Sequence, residues 1–319
     1  MNEKILLIPN MPFWALDKNA KDIIKYNRSD IDFDIVYFPD AIKNWPYLYR
    51  EYDLLFPMYM NLFFKLLDCD LPVDKVITGI RSYAIWDKHR SRPPGYDVKP
   101  PRNIIRRLKK ALLVNTICKK LWYIFSNYLP IVHTKYACDL ETFFPQKNDR
   151  ISPKLRVGWT GSLTNHRDIR GIEDIVIPAC DGLKSIEMII QNSEKKWIRE
   201  DKEMRNFYNS LDLYICASYS EGAPRPVMEA AACGIPVISV DVGIVPEVVE
   251  NGKTGFIVER TVEAFKTKLI WIAKNRELLC TMGRAAREKM EQEFNWNCII
   301  NQWIDFFRHA LELYQIKGK

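Results

Sequence analysis

Two carboxylates stand eight positions apart in Ser218-Tyr-Ser-Glu221-Gly-Ala-Pro-Arg-Pro-Val-Met-Glu229. The stretch follows an apolar run, Asp212-Leu-Tyr-Ile-Cys-Ala217, and leads into small residues, Ala230–Cys233, that stop at Gly234-Ile-Pro236. This pattern predicts a strand, a tight Gly/Pro loop and then a helix. Glu221 falls on the loop and Glu229 about a turn into the helix. The first N–H groups of a helix have no partner inside it. The loop formed by Gly222, Ala223 and Pro224 is therefore a place where backbone donors point at a ligand. The two carboxylates read either as an acid/base pair or as groups that hold a ligand. The alternative without chemistry is a plain strand-to-helix turn with a solvated glutamate.

Such a loop needs a frame. A chain of 319 residues has room for about two domains, and a hydrophobic share of 47% allows sizeable cores. In the second half Leu155–Thr160, Ile186–Gln191, Leu213–Ala217, Val237–Val240 and Gly255–Val258 read as buried parallel strands. Helices are expected between them at 172–181, 201–210, 224–233 and 261–274, and further on at 276–292 and 298–314. In the first half the strand candidates are Lys4–Ile8, Phe33–Phe38, Asp53–Pro57, Lys75–Thr78 and Pro130–His133. Arg90–Arg102 reads as a loop and Gln146–Pro153 as a linker. Over Asn103–Phe125, Ile104, Leu108, Leu112, Ile117, Leu121 and Ile124 recur at helical spacing, which predicts one amphipathic helix. The expected fold class is α/β, with two doubly wound Rossmann-like domains and an interdomain cleft. Domains are expected at 1–148 and 149–300, with 301–319 a helix packing back on the first domain.

Eight cysteines are scattered singly and four histidines lie far apart, so neither a disulfide framework nor a metal site is expected. Cys216, Cys233 and Cys280 lie in apolar runs and read as reduced core residues. The chain lacks an apolar run of spanning length, and its start lacks the core of a signal peptide, so a cytoplasmic protein is expected. The net charge of +7 is concentrated. Residues 88–120 hold eleven Lys/Arg against one acid, Asp97, a local +10 that leaves −3 for the rest. Three readings fit: a solvated helix face, contact with a polyanionic acceptor such as nucleic acid, or peripheral attachment to an anionic membrane through 88–125. Trp122, Tyr123 and Phe125 suit the last.

Further motifs join the two glutamates. They are Gly234-Ile-Pro-Val-Ile-Ser239, then Gly243, Pro246-Glu-Val-Val249 and Asn251-Gly-Lys-Thr-Gly255, with Val157-Gly-Trp-Thr-Gly-Ser162 and Cys138–Pro145 upstream. Together they resemble the retaining GT-B enzymes of glycosyltransferase family 4, over about residues 137–310. The resemblance implies a nucleotide-diphosphate sugar as co-substrate, no cofactor and no metal. It implies that Glu229 accepts from the ribose hydroxyls of the donor, since a carboxylate suits a vicinal diol. It implies that Glu221 binds the transferred sugar, and that the backbone of Gly222 and Ala223, with Pro224, faces sugar and pyrophosphate. Gly161 and Ser162 match the loop after the first strand of the donor domain. Cations must then stabilise the leaving diphosphate. Arg170 before Gly171 matches one family position, with Arg in place of Lys, and Arg167 is a second candidate. Ser162 stands near the position where the family has an arginine.

The resemblance implies a hexosyl transfer with retention, by front-face attack in which a donor phosphate oxygen takes the acceptor proton. The acceptor would be a glycan, a lipid-linked species or a polymer. The short N-terminal domain departs more. Pro9–Ala15 lacks the family's glycine-rich loop, and Gly79-Ile-Arg81 stands where a histidine is usual, which makes Arg81 the candidate there. Donor base and sugar contacts are expected around Gln191–Lys196. Rival readings are a non-catalytic GT-B subunit, another GT-B enzyme such as an epimerase or phosphorylase, and a simple nucleic-acid-binding protein.

Overall fold

The computed structural model describes residues 2–83, 98–146, 152–163, 167–192 and 200–317, with backbone alone at Arg167 and Asp168. Among them, 2–83, 98–136 and 296–317 form one compact unit, and those within 137–295 form a second. The divisions thus fall after Tyr136 and before Trp296, instead of at 148 and 300. Most of the expected linker, 147–151, lies outside the described residues, as does most of the 90–102 loop.

The first unit begins with β1 (Lys4–Ile8), α1 (Ala15–Tyr26), β2 (Asp32–Ile35), α2 (Phe38–Lys43), α3 (Trp45–Glu51), β3 (Leu54–Pro57) and α4 (Met60–Asp68). It continues with β4 (Thr78–Ile80), α5 (Arg102–Leu108), β5 (Val114–Thr116), α6 (Lys119–Ser126) and β6 (Val132–His133). The strands are parallel, in the orders β2-β1-β3 and β4-β5-β6. A parallel bridge from Leu55 to Val76 joins the two sets into one run. Ile5–Ile8 and Leu54–Phe56 are fully buried, as strands covered on both faces must be.

The single helix expected over Asn103–Phe125 is instead α5, β5 and α6. Leu112, Leu113 and Val114 are consecutive apolar residues. Leu112 N–H donates to the Val76 carbonyl at 2.8 Å, and Leu113 O accepts from Thr78 N–H at 3.1 Å. Burial inside the sheet outweighs helical spacing there. Ile104, Leu108, Leu112, Leu121 and Phe125 all face the core. They form no apolar stripe toward solvent. Phe33–Phe38 is also shorter than expected: the strand ends at Ile35, and Phe38 opens α2 with Pro39 in its first turn, where a missing N–H costs nothing.

The second unit runs β7 (Leu155–Gly161), α7 (Arg167–Arg170), a π-helical turn at Ile172–Val176, α8 (Ile177–Cys180), β8 (Ile186–Asn192), α9 (Asp201–Asn209) and β9 (Leu213–Cys216). Then follow α10 (Arg225–Ala232), β10 (Val237–Ser239), α11 (Val245–Val248), β11 (Gly255–Ile257), α12 (Val262–Lys274) and α13 (Leu278–Glu293). Its parallel sheet has the order β11-β10-β9-β7-β8. From β7 the chain steps to β8 on one side and then back to β9 on the other. The loops leaving β7 and β9 therefore diverge, and they open a crevice at the carboxyl ends of those strands.

α14 (Trp296–Lys317) returns to the first unit. Trp296 donates from Nε1 to Asp22 at 3.2 Å and stacks on Tyr26. Phe306 and Phe307 pack against Phe56, and Phe307 also against Phe33. Each fully buried phenylalanine contributes about 1.5–3 kcal/mol.

Candidate functional site

Most of the residues expected to act together lie at the β7/β9 crevice. After β9 the chain stays buried through Ala217–Ser220 and then surfaces at Glu221, whose side chain is 22% exposed. Pro224 caps α10 in an extended conformation, and Pro226 sits in the first turn. Among the described residues, the N–H groups of Gly222 and Ala223 have no hydrogen-bond partner. They are two adjacent donors ahead of a helix start, which is the arrangement that binds anions.

Two glycines fix this loop. Gly243 has φ +51°, and a Cβ there would lie 2.3 Å from the Gly222 carbonyl oxygen. The next residue, Ile244, donates its N–H to that same oxygen at 2.8 Å. Gly171, at φ +71°, lets its turn approach the end of β9, where a Cβ would come within 2.4 Å of the Ala217 carbonyl. Tyr219 N–H donates to Ile169 O at 2.7 Å. This contact carries Arg170 to the loop, and its Nη1 lies 3.9 Å from Glu221 Oε1. The Arg170 Nε is buried and makes no hydrogen bond, and its Cδ passes over Gly161, 3.2 Å from where a Cβ would stand. Gly161, Arg170 and Glu221 therefore converge beside the loop N–H groups. Ser162 follows Gly161 directly. The Arg167 backbone opens α7, and its side chain lies outside the described residues.

Glu229 is placed differently. It is 5% exposed, on α10, and both carboxylate oxygens are engaged. Oε2 accepts from the Tyr208 hydroxyl at 2.7 Å and Oε1 from Arg225 Nε at 3.1 Å. Burial, with the Glu229 charge beside it, pushes the Tyr208 hydroxyl well above its ordinary range, so it remains a neutral donor. A carboxylate held this way keeps one lone-pair direction per oxygen for a ligand hydroxyl. Both oxygens already serve as acceptors within the protein. Arg225 had a sequence signal, since Arg225 and Glu229 are four apart on a helix. Tyr208 had none, because it reaches Glu229 from another helix.

In the first unit, Arg81 follows β4. Its Nε donates to the Met58 carbonyl at 2.9 Å, its terminal nitrogens are buried without partners, and it lies over the rings of Phe56 and Trp303. Burial pulls the guanidinium down to about 9, which leaves it charged at neutral pH. Orphaned atoms of Asn115 and Thr116 on β5 and of His133 at the end of β6 lie in the same sheet. Burial, then Lys119 and Lys135, lowers the affinity of His133 for a proton.

Cys216 and Cys233 are buried as expected, whereas Cys280 is exposed on α13. It lines a cavity of about 470 Å³ at the amino ends of the strands, away from the crevice, with Asp212 and Gly234. Among the described residues no cluster of His, Cys, Asp or Glu is arranged to hold a metal ion, and no helix is long and apolar enough to cross a membrane. The expected base-contact segment lies largely outside the described residues, at 193–199.

Residues 189–289, which include the α10 loop, match the family described as Glycosyl transferases group 1. That stretch is thus similar to a group 1 glycosyltransferase domain, and the fold of the chain is GT-B. The capsular polysaccharide biosynthesis glycosyltransferase CapM of Staphylococcus aureus is 30% identical over 215 residues, 60% of this chain and 57% of CapM. The alpha-maltose-1-phosphate synthase of Mycolicibacterium smegmatis is 30% identical over 122 residues, 35% of this chain and 32% of that protein. The chain thus matches from about a third to somewhat over half the length of these relatives. Among solved structures, the sucrose-phosphate synthase of Thermosynechococcus elongatus superposes with a TM-score of 0.77 at 13% identity, covering 97% of this chain and 99% of that one. HepE of Anabaena, in complex with UDP and glucose, gives 0.70 at 13% identity, covering 97% and 100%.

Proposed function

We propose that this chain is a retaining glycosyltransferase. It would move a hexosyl group from a nucleotide-diphosphate sugar to a hydroxyl of a glycan, lipid-linked or polymeric acceptor, without a metal. The observation that carries the reading is the convergence of Arg170, Glu221 and the unpartnered N–H groups of Gly222 and Ala223 beside Gly161. A diphosphate accepts from N–H groups and from a guanidinium fork, and a sugar hydroxyl donates to Glu221. The UDP complex of HepE supports a uridine nucleotide as the first donor to try.

In this mechanism Arg170 stabilises charge that develops on the leaving diphosphate, helped by the loop N–H groups and by Arg167. Glu229, held by Tyr208 and Arg225, accepts from the ribose diol. A donor phosphate oxygen removes the acceptor proton, so the protein supplies positioning and electrostatics instead of a nucleophile. Acceptor choice is assigned to the first unit, with Arg81 as its buried cation.

The test is donor turnover by Arg170→Ala and nucleotide binding by Glu229→Ala. Loss of a donor to developing charge costs about 10²–10³ in kcat. Loss of a carboxylate that accepts from hydroxyls weakens nucleotide binding roughly tenfold or more, measured by calorimetry. Near-normal turnover in Arg170→Ala removes its role and shifts it to Arg167. Nucleotide-sugar binding with no transfer or hydrolysis would make the chain a non-catalytic subunit.

A further inference from the structure

The basic stretch is left over from the donor chemistry. On α5, Arg102, Arg106 and the capping Lys109 follow one another at four- and three-residue spacing, which puts them on one side of the helix. All three are exposed, and none has a hydrogen-bond or ion-pair partner among the described residues. Arg107 is a contrast within the same helix. It donates to Asp68 at 2.7 Å and to the Phe64 carbonyl, and it lies over the Phe64 ring. Its charge is absorbed by the fold, whereas the other three are not.

Local helix energetics oppose the arrangement. Arg102 sits in the first turn, which contains no acid, where the helix dipole disfavours a cation. Arg102 and Arg106 are like charges four apart, which also destabilises a helix. The three cations surround a surface cavity of about 410 Å³ whose other walls are Pro100, Ile105 and Tyr128. An apolar floor with a cationic rim suits a ligand that joins a phosphate to hydrocarbon. Pro100 and Ile105 are buried and Tyr128 is exposed, so the apolar part of the cavity is reached past the cationic rim. Arginine forks match phosphate oxygens, and tyrosine is at home where an apolar region meets a wet one.

We infer that this face of α5 docks on an anionic phospholipid bilayer. Arg102, Arg106 and Lys109 hold a lipid phosphate, and Pro100, Ile105 and Tyr128 lie under its glycerol and first methylenes. This deepens the proposed use of a lipid-linked acceptor, and it rests on that reading only for its purpose. Docking is read with no donor present, so its failure and the failure of sugar transfer are seen separately.

The experiment is flotation of the full chain with vesicles of phosphatidylcholine alone and of phosphatidylcholine with phosphatidylglycerol, at low and high salt. The chain is expected to float with the anionic vesicles only, and less at high salt. Arg102→Gln with Arg106→Gln together should weaken partition roughly 30-fold, and Lys109→Gln alone about fivefold. Tyr128→Ser should weaken it several-fold at both salt concentrations. Unchanged thermal midpoints establish that the variants are folded. Equal flotation on both vesicle types overturns the inference, as does parental flotation of the double variant and of Lys109→Gln. Retention on heparin without flotation also overturns it and makes the patch a polyanion contact.

Discussion

Tyr208→Phe removes one atom from the second unit. The hydroxyl it deletes is the donor to Glu229 Oε2 at 2.7 Å, in a place where Tyr208 is fully buried and Glu229 nearly so. The ring itself is retained, and with it the edge contacts to Phe143, Phe207 and Tyr214 at centroid distances of 6.2, 5.4 and 5.8 Å. No cavity beyond an oxygen atom is created, so the effect belongs to the hydrogen bond. A bond to a charged acceptor contributes about 1.5–3 kcal/mol. Arg225 still holds Oε1, which keeps the cost near the lower end, about 2 kcal/mol. The assay is urea unfolding of the second unit, followed by its own transition, for the parent, Tyr208→Phe, Glu229→Gln and the double variant. The cycle should give a coupling of about 1 kcal/mol or more. UDP affinity by calorimetry should fall severalfold, because the carboxylate loses one of its two anchors. A coupling indistinguishable from zero, or a Tyr208→Phe cost below about 0.3 kcal/mol, would falsify the account of a hydroxyl-anchored carboxylate.

Gly243→Ala should cost about 1–2 kcal/mol for the left-handed backbone, and more for the contact with the Gly222 carbonyl. Gly182→Ala is its control: Gly182 has φ +74° with nothing within 4 Å, so it carries the backbone cost alone. Nucleotide affinity should fall in the first variant and hold in the second; equal affinities would mean the loop is not fixed by that contact. His133 supplies a pH signature for the first unit. Its folded pKa lies below the ordinary 6.5, so below that value the unfolded chain takes up a proton that the folded chain refuses. The stability contribution is fully present above pH 6.5 and is lost as pH falls from there toward the folded value. Urea midpoints at about pH 7.5 and 5.5 should differ less in His133→Gln than in the parent; an identical difference removes the assignment.

The loop between β9 and α10 was readable from sequence because it is local. Glu221, Gly222, Ala223, Pro224 and Glu229 lie within nine residues, and strand, loop and helix follow from apolar runs punctuated by Gly and Pro. Arg170 is fifty-one positions away from Glu221, and only the resemblance brought it in. The contacts through Gly171 and Tyr219 that deliver it are long-range, as is the Tyr208–Glu229 bond. The main misreading, one helix over Asn103–Phe125, has the same physical root. Helical spacing of apolar residues is a local signal, and the hydrogen bonds that draw Leu112–Thr116 into the sheet come from Val76–Ile80, more than thirty residues upstream.

The first unit is assembled from both ends of the described chain, while the described residues of the second lie within 137–295. During synthesis the second unit is therefore complete before the first. Until α14 emerges, Phe56, Tyr26 and Phe33 lack the aromatic wall of Trp296, Trp303, Phe306 and Phe307. A ribosome-bound intermediate with a finished second unit and an open, sticky first unit follows from this topology. Emergence of α14 ends that exposure to chaperones and to aggregation.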